Sequence, residues 1–241
     1  MQFTPETLGY AFLGGILPAM IWLYFLLKED SRCPEPRHMI IIALLAGMVG
    51  VPLVLPLQHL AVTTLPASEP SPGLLVIIAW STIEETAKYA LAAILVLWRR
   101  WVNESVDLVV YMITVALGFA AIENMLFLIQ PIAQGHLAAG IATENLRFVG
   151  STLVHVISSS AIGFALAFSF KLNRGARAIA ASIGLILAIA LHAVFNFLII
   201  MRDGSHTLSA FFIVWTGAVV FLALFEILKY FRYRKLPKNT C

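Results

Sequence analysis

Seven stretches of mostly apolar residues, each roughly 20 residues or longer, take up nearly the whole 241-residue chain, at about 8–27, 38–57, 73–98, 106–130, 147–170, 178–201 and 209–228. An α-helix of roughly 20 residues crosses a bilayer core about 30 Å thick, so each stretch is long enough to span a membrane. Backbone polar groups in lipid must be satisfied within the segment itself, which makes each stretch a helix. With 60% apolar and 12% charged residues, the chain is not a water-soluble domain. The expected fold class is all-α: a polytopic bundle of about seven transmembrane helices forming one domain over 1–241. No length remains for a soluble domain, so any chemistry must be built from helices.

The basic residues follow topology. Loops 28–37, 99–105 and 171–177 and the tail from 229 carry 13 of the 16 Lys and Arg residues, the alternate loops carry 2, and Lys88 lies inside a span. This positive-inside pattern places the N-terminus outside and the C-terminus in the cytoplasm. It also accounts for the net charge of +3 without a nucleic-acid partner. The expected location is the plasma (inner) membrane, multi-pass. The stretch 131–147 reads as a long loop or a short interfacial helix.

The third stretch, GLLVIIAWSTIEETAKYALAAILVLW, carries Glu84, Glu85 and Lys88 in its middle. A charge at the bilayer centre costs roughly 2.5–3.5 kcal/mol on insertion scales, so such groups face a bundle interior and mark function. Glu123 lies in the fourth span, His155 with Ser158, Ser159 and Ser160 in the fifth, and His192 with Asn196 in the sixth. The pairs Glu84–Lys88, Arg147–Ser151, Ser151–His155 and His192–Asn196 are i,i+4 steps and so share helix faces. Counted from the outer helix ends, Glu84, Glu123, His155 and His192 lie roughly 12–17 Å deep at 1.5 Å per residue. Four helices thus bring acid or imidazole groups to one level, which predicts a shared polar site in the outward half of the membrane. Glu85 and Lys88, at i,i+3, read as an ion pair that leaves Glu84 without a local partner. Asp107 reads as an N-terminal helix charge.

Paired carboxylates and two imidazoles suit water activation, in either of two versions. In one, Glu123, His155 and His192 hold Zn²⁺ and another glutamate takes the proton of a bound water. In the other no metal takes part: Glu84 is the general base, and His192 and Asn196 hydrogen-bond the developing oxyanion. An ion- or proton-coupled transporter would draw on the same intramembrane Glu, His and Lys, although the chain shows none of the internal repeats common in transporters. A haem carrier using His155 and His192 as axial ligands is a third reading.

EExxK (Glu84, Glu85, Lys88), FxxxEN (Phe119, Glu123, Asn124), Arg147 with His155, and HxxxN (His192, Asn196) occur in that order on successive spans. Together with Asp107 and the string GFAAIEN at 118–124, they resemble the PrsW family of intramembrane proteases, within the wider superfamily of type II CAAX prenyl endopeptidases and bacteriocin-immunity-type membrane proteases. The resemblance covers about 75–200, the motif core of the domain. It implies peptide-bond hydrolysis with Glu84 as base and Glu85, Lys88, Glu123, His155, His192 and Asn196 around it. It further implies a membrane-anchored substrate of the anti-sigma-factor kind, cut near the extracytoplasmic face. Glu123 replaces the His of the prenyl endopeptidases' FxxxH, and Lys88 stands one position before the Arg of their EExxxR, which argues against a prenylated substrate. Both metallo- and glutamate-dependent catalysis remain open at this point.

Overall fold

The run Ser105–Ala133 is apolar on every side, and a helix of that kind is stable only where protein surrounds it. In the computed structural model, which describes residues 4–29, 33–66, 72–135, 150–200 and 207–234, this run becomes the central helix, with 89% of its apolar window buried. Among the described residues there are seven α-helices: α1 (Pro5–Glu29), α2 (Arg37–Thr64), α3 (Leu74–Ala92), α4 (Ser105–Ala133), α5 (Ser151–Phe168), α6 (Arg174–Ile200) and α7 (Thr207–Tyr233). Six are long and apolar enough to cross a membrane; the exception, α3, holds Glu84, Glu85 and Lys88. The all-α bundle expected from the sequence is therefore present, in a multi-pass membrane protein.

Helix α4 packs against α1, α2 and α5, while α3 sits between α2 and α6. Small residues permit the closest crossings. A Cβ on Gly47 would lie 1.9 Å from the Val115 carbonyl oxygen, and one on Gly118 would lie 2.0 Å from that of Leu44. The α2–α4 crossing is thus backbone against backbone, the packing that small residues allow in membranes. Helix α7 is peripheral, with 17% of its window buried.

The helix ends obey local chemistry. Asp107 accepts the backbone N–H groups of Asn103 and Glu104, both at 2.8 Å, and with Glu104 completes a capping box at the start of α4. This is the N-terminal role its position predicts. Beyond Ala92 the chain widens into a π-turn, Ala93–Leu97, where the Arg99 side chain donates to the carbonyls of Ile94 and Leu95. The window 38–57 stops short of the helix it predicts. Despite Pro52 and Pro56, α2 runs to Thr64, where Thr63 and Thr64 hydroxyls bond the Leu60 carbonyl, and it ends at Leu65 before Pro66. The described part of the fifth span starts at Ser151, later than the 147 expected; Arg147 and most of the 131–147 stretch lie outside the described residues.

One end of the bundle collects ion pairs and a phenol–carboxylate hydrogen bond between helices. Lys229 on α7 bonds Glu29 at the end of α1, Arg232 bonds Glu104, and Tyr111 on α4 bonds Glu35 ahead of α2. Arg177 at the start of α6 lies over Trp98, just past α3. These contacts put alternate helix ends side by side, as successive spans require.

Gly118→Val is expected to lower the thermal midpoint in detergent, through overpacking of about 1–3 kcal/mol. Gly9→Ala, where nothing lies within 4 Å of an added Cβ, should leave the midpoint in place. Equal midpoints for the two variants would contradict the α2–α4 crossing.

Candidate active site

A lysine with no exposed surface needs its charge matched, and α3 supplies the match one turn earlier. Lys88 Nζ donates to Glu85 Oε1 at 2.7 Å, and both residues are 0% exposed. Glu85 is met from two further helices: Ser159 on α5 donates to Oε2 at 2.9 Å, His192 Nδ1 on α6 lies 2.8 Å from Oε1, and Ser158 Oγ lies 3.1 Å from Oε1. The carboxylate's acceptor sites are largely filled, as a buried charge requires. Lys88 in turn reaches His155 Nδ1 at 2.8 Å and sits 4.5 Å from the centre of the Phe119 ring. The pair thus ties α3 to α4, α5 and α6.

Glu84, next in sequence, has different surroundings. Its Oε1 accepts from Gln58 Nε2 at 2.8 Å. Its Oε2 is buried with no hydrogen-bond partner among the described residues, 3.7 Å from His192 Nε2 and 3.9 Å from Lys88 Nζ. A separation of 3.7 Å is too long for a hydrogen bond.

The imidazole protons can be assigned from these partners. His192 donates its Nδ1 proton to the Glu85 carboxylate, so in the neutral ring Nε2 carries the lone pair and turns it toward Glu84. At His155 the ammonium of Lys88 can only donate, so Nδ1 accepts and the Nε2 proton goes to Glu123 Oε2 at 2.8 Å. The two rings meet edge to face, with centroids 4.9 Å apart and an interplanar angle of 88°.

A cavity of about 820 Å³ lies over this cluster. Glu84, Glu123, His155, His192 and Asn196 all border it, whereas Glu85 and Lys88 stand behind them. Its walls are otherwise mainly apolar, and they extend to Val62, Gln130 and Ile200 near the ends of α2, α4 and α6. The cavity therefore reaches toward the end of the bundle opposite the ion pairs. Five of the seven residues expected at the site face one space, and the other two support them.

Oxygen or nitrogen donors of Glu84, His155 and His192 lie within 4.8 Å of one another. The expected ligand trio named Glu123; the set that converges holds Glu84 in its place, with Glu123 bonded to His155. Two histidines and one glutamate form a donor set of the kind found in catalytic zinc sites, with metal–ligand bonds of about 2.0–2.2 Å. The orphaned Glu84 oxygen facing the His192 lone pair across 3.7 Å fits such an ion. His155 has both nitrogens engaged and would join by exchanging one partner.

Gln58 and Trp80 are the site residues that sequence reasoning misses. The Trp80 indole donates to the Gln58 carbonyl at 3.2 Å, and both border the cavity. Asn124 faces away, donating to Thr152 on α5 at 3.0 Å.

A family described as PrsW family intramembrane metalloprotease matches residues 35–225. Three relatives bear the name Protease PrsW. That of Clostridioides difficile (strain 630) is 26% identical over 194 residues, 79% of each chain. That of Bacillus subtilis (strain 168) is 26% identical over 186 residues, 77% of this chain and 80% of the relative. That of Oceanobacillus iheyensis is 25% identical over 229 residues, 94% and 95% of the two chains. No solved structure matches the chain.

Removing one member of a buried ion pair strands the other. Lys88→Met is expected to destabilise the folded protein by about 3–5 kcal/mol. Lys88→Met combined with Glu85→Gln should recover part of that loss. Chemical denaturation in detergent reads both values, and an unchanged midpoint for the single variant would remove the pair from its supporting role.

Proposed function

Since the chain belongs to the PrsW family of intramembrane metalloproteases, and is a multi-pass membrane protease on that ground, we propose that it hydrolyses a membrane-anchored protein of the anti-sigma-factor kind near the extracytoplasmic face. One observation carries this reading: a buried carboxylate oxygen without a hydrogen-bond partner at the floor of a cavity. A substrate segment drawn in from the membrane would meet apolar walls first and the polar cluster last. The basic loops, read as cytoplasmic, support a cavity mouth that opens outward. The whole chain, 1–241, acts as one protease domain, with the motif core at about 75–200 carrying the chemistry.

Glu84 Oε2 takes the proton of the attacking water and later returns it to the leaving amine. Glu85 keeps His192 in the tautomer whose Nε2 lone pair faces the cavity. In that tautomer His192 has no N–H to give an oxyanion, which favours the metal-assisted version over the metal-free one and leaves Asn196 as the side-chain donor on α6. His192 and His155 would hold the ion beside Glu84, whose Oε2 stays free to take a proton, and a bound Zn²⁺ would supply an acidified water and a polarised carbonyl. Glu123 orients His155 through Nε2. Expulsion of bulk water from the cavity strengthens each of these interactions.

Glu84→Gln is expected to insert and fold normally while proteolysis of a co-reconstituted single-span anti-sigma factor falls about 10²- to 10⁴-fold. Normal cleavage by the purified variant would show that another group is the base. Chelation should abolish cleavage and added Zn²⁺ restore it, and purified His192→Ala should retain less metal than the parent by elemental analysis. Full activity in metal-free protein would assign hydrolysis to Glu84 without an ion.

A further inference from the structure

A base with two oxygens transfers protons efficiently only if one oxygen is anchored while the other is presented to the water. Glu84 is held in that way, and the anchor comes from a different helix. Gln58 Nε2 donates to Oε1 at 2.8 Å, leaving Oε2 as the free oxygen toward His192. The amide is itself fixed through its backbone, because the Trp80 indole donates to the Gln58 carbonyl at 3.2 Å. Trp80 and Glu84 are four residues apart on α3, so one face of that helix grips Gln58 at two points.

Gln58 lies on the outer part of α2, beyond Pro52 and Pro56. Each proline removes an N–H from the helix ladder, which weakens the segment's own hold on its direction. The two ties to α3 restore that hold at the residue that touches the carboxylate. Gln58 also borders the cavity.

We infer that Gln58 is a positioning residue for the hydrolytic reaction: its side-chain amide orients the Glu84 carboxylate, and Trp80 holds the Gln58 backbone. The inference rests on Glu84 being the base. Gln58 exchanges no proton and needs no charge. It acts by restricting Glu84 to the rotamer that presents Oε2.

The test is steady-state cleavage of a reconstituted single-span anti-sigma factor by Gln58→Met, which preserves side-chain length and removes the donor. The expected result is a kcat about 10- to 100-fold lower with KM within about twofold of the parent and an unchanged thermal midpoint. A parental kcat overturns the inference, and so does a raised KM with normal kcat, which would make Gln58 a substrate contact. Should Gln58→Met fail to fold, Trp80→Phe decides: kcat reduced about several-fold at constant KM supports the inference, and parental kinetics overturn it. Glu84→Gln separates the two levels of the argument. If that variant is active, the base is misassigned. If it is inactive while Gln58→Met is fully active, only the positioning role fails. In the Glu84→Gln background, Gln58→Met should cause no additional loss, because the two residues act as one unit.

Discussion

The buried Glu85–Lys88 pair is the constraint from which the rest of the site follows. An ammonium and a carboxylate out of contact with water are tolerable only when every remaining donor and acceptor finds a partner. Those partners are Ser159 on α5, His192 on α6 and His155 on α5. Satisfying one ion pair therefore fixes the relative height and rotation of three helices. It also decides both imidazole tautomers, since Glu85 accepts from the Nδ1–H of His192 and Lys88 donates to the Nδ1 lone pair of His155. Residues that never border the cavity thereby determine what the cavity presents.

The supporting frame is built on a different principle. Between helices in lipid there is little hydrophobic driving force, so close backbone approach and dispersion do the work. At Gly47 and Gly118 the α2 and α4 backbones meet directly, and α4 is enclosed on nearly all sides. That contact adjoins the site, because Gly118 directly precedes Phe119 and stands five residues before Glu123, the α4 residues there. A rigid centre of this kind lets a cavity persist beside it without collapse. It also confines the proline-weakened part of α2 to the cavity wall.

The helices themselves were legible in the sequence because the apolar windows are long and hold few ionisable residues, three of them close together at Glu84, Glu85 and Lys88. The same anomaly pointed to the site, and the common depth of Glu84, Glu123, His155 and His192 pointed to their meeting. The Glu85–Lys88 pairing followed from its i,i+3 spacing. What stayed hidden depends on rotation between helices. Spacing within α3 left Glu84 as the carboxylate without a local partner, but nothing in either span says that Lys88 meets His155, 67 residues away. Gln58 was lost for a local reason: it falls just past the apolar window 38–57, and the helix continues to Thr64. The lone side-chain amide in that stretch was the available signal. The transporter and haem expectations give way to the family assignment.

Charge neutrality gives the cluster a further meaning. Among the described residues, Glu84, Glu85 and Glu123 put three carboxyl groups in one cluster with the ammonium of Lys88. Negative charge left without compensation is costly in a setting of low dielectric. Seen as an electrostatic balance, the enclosure favours whatever brings positive charge to these carboxyl groups, a proton included, over anything that brings more negative charge.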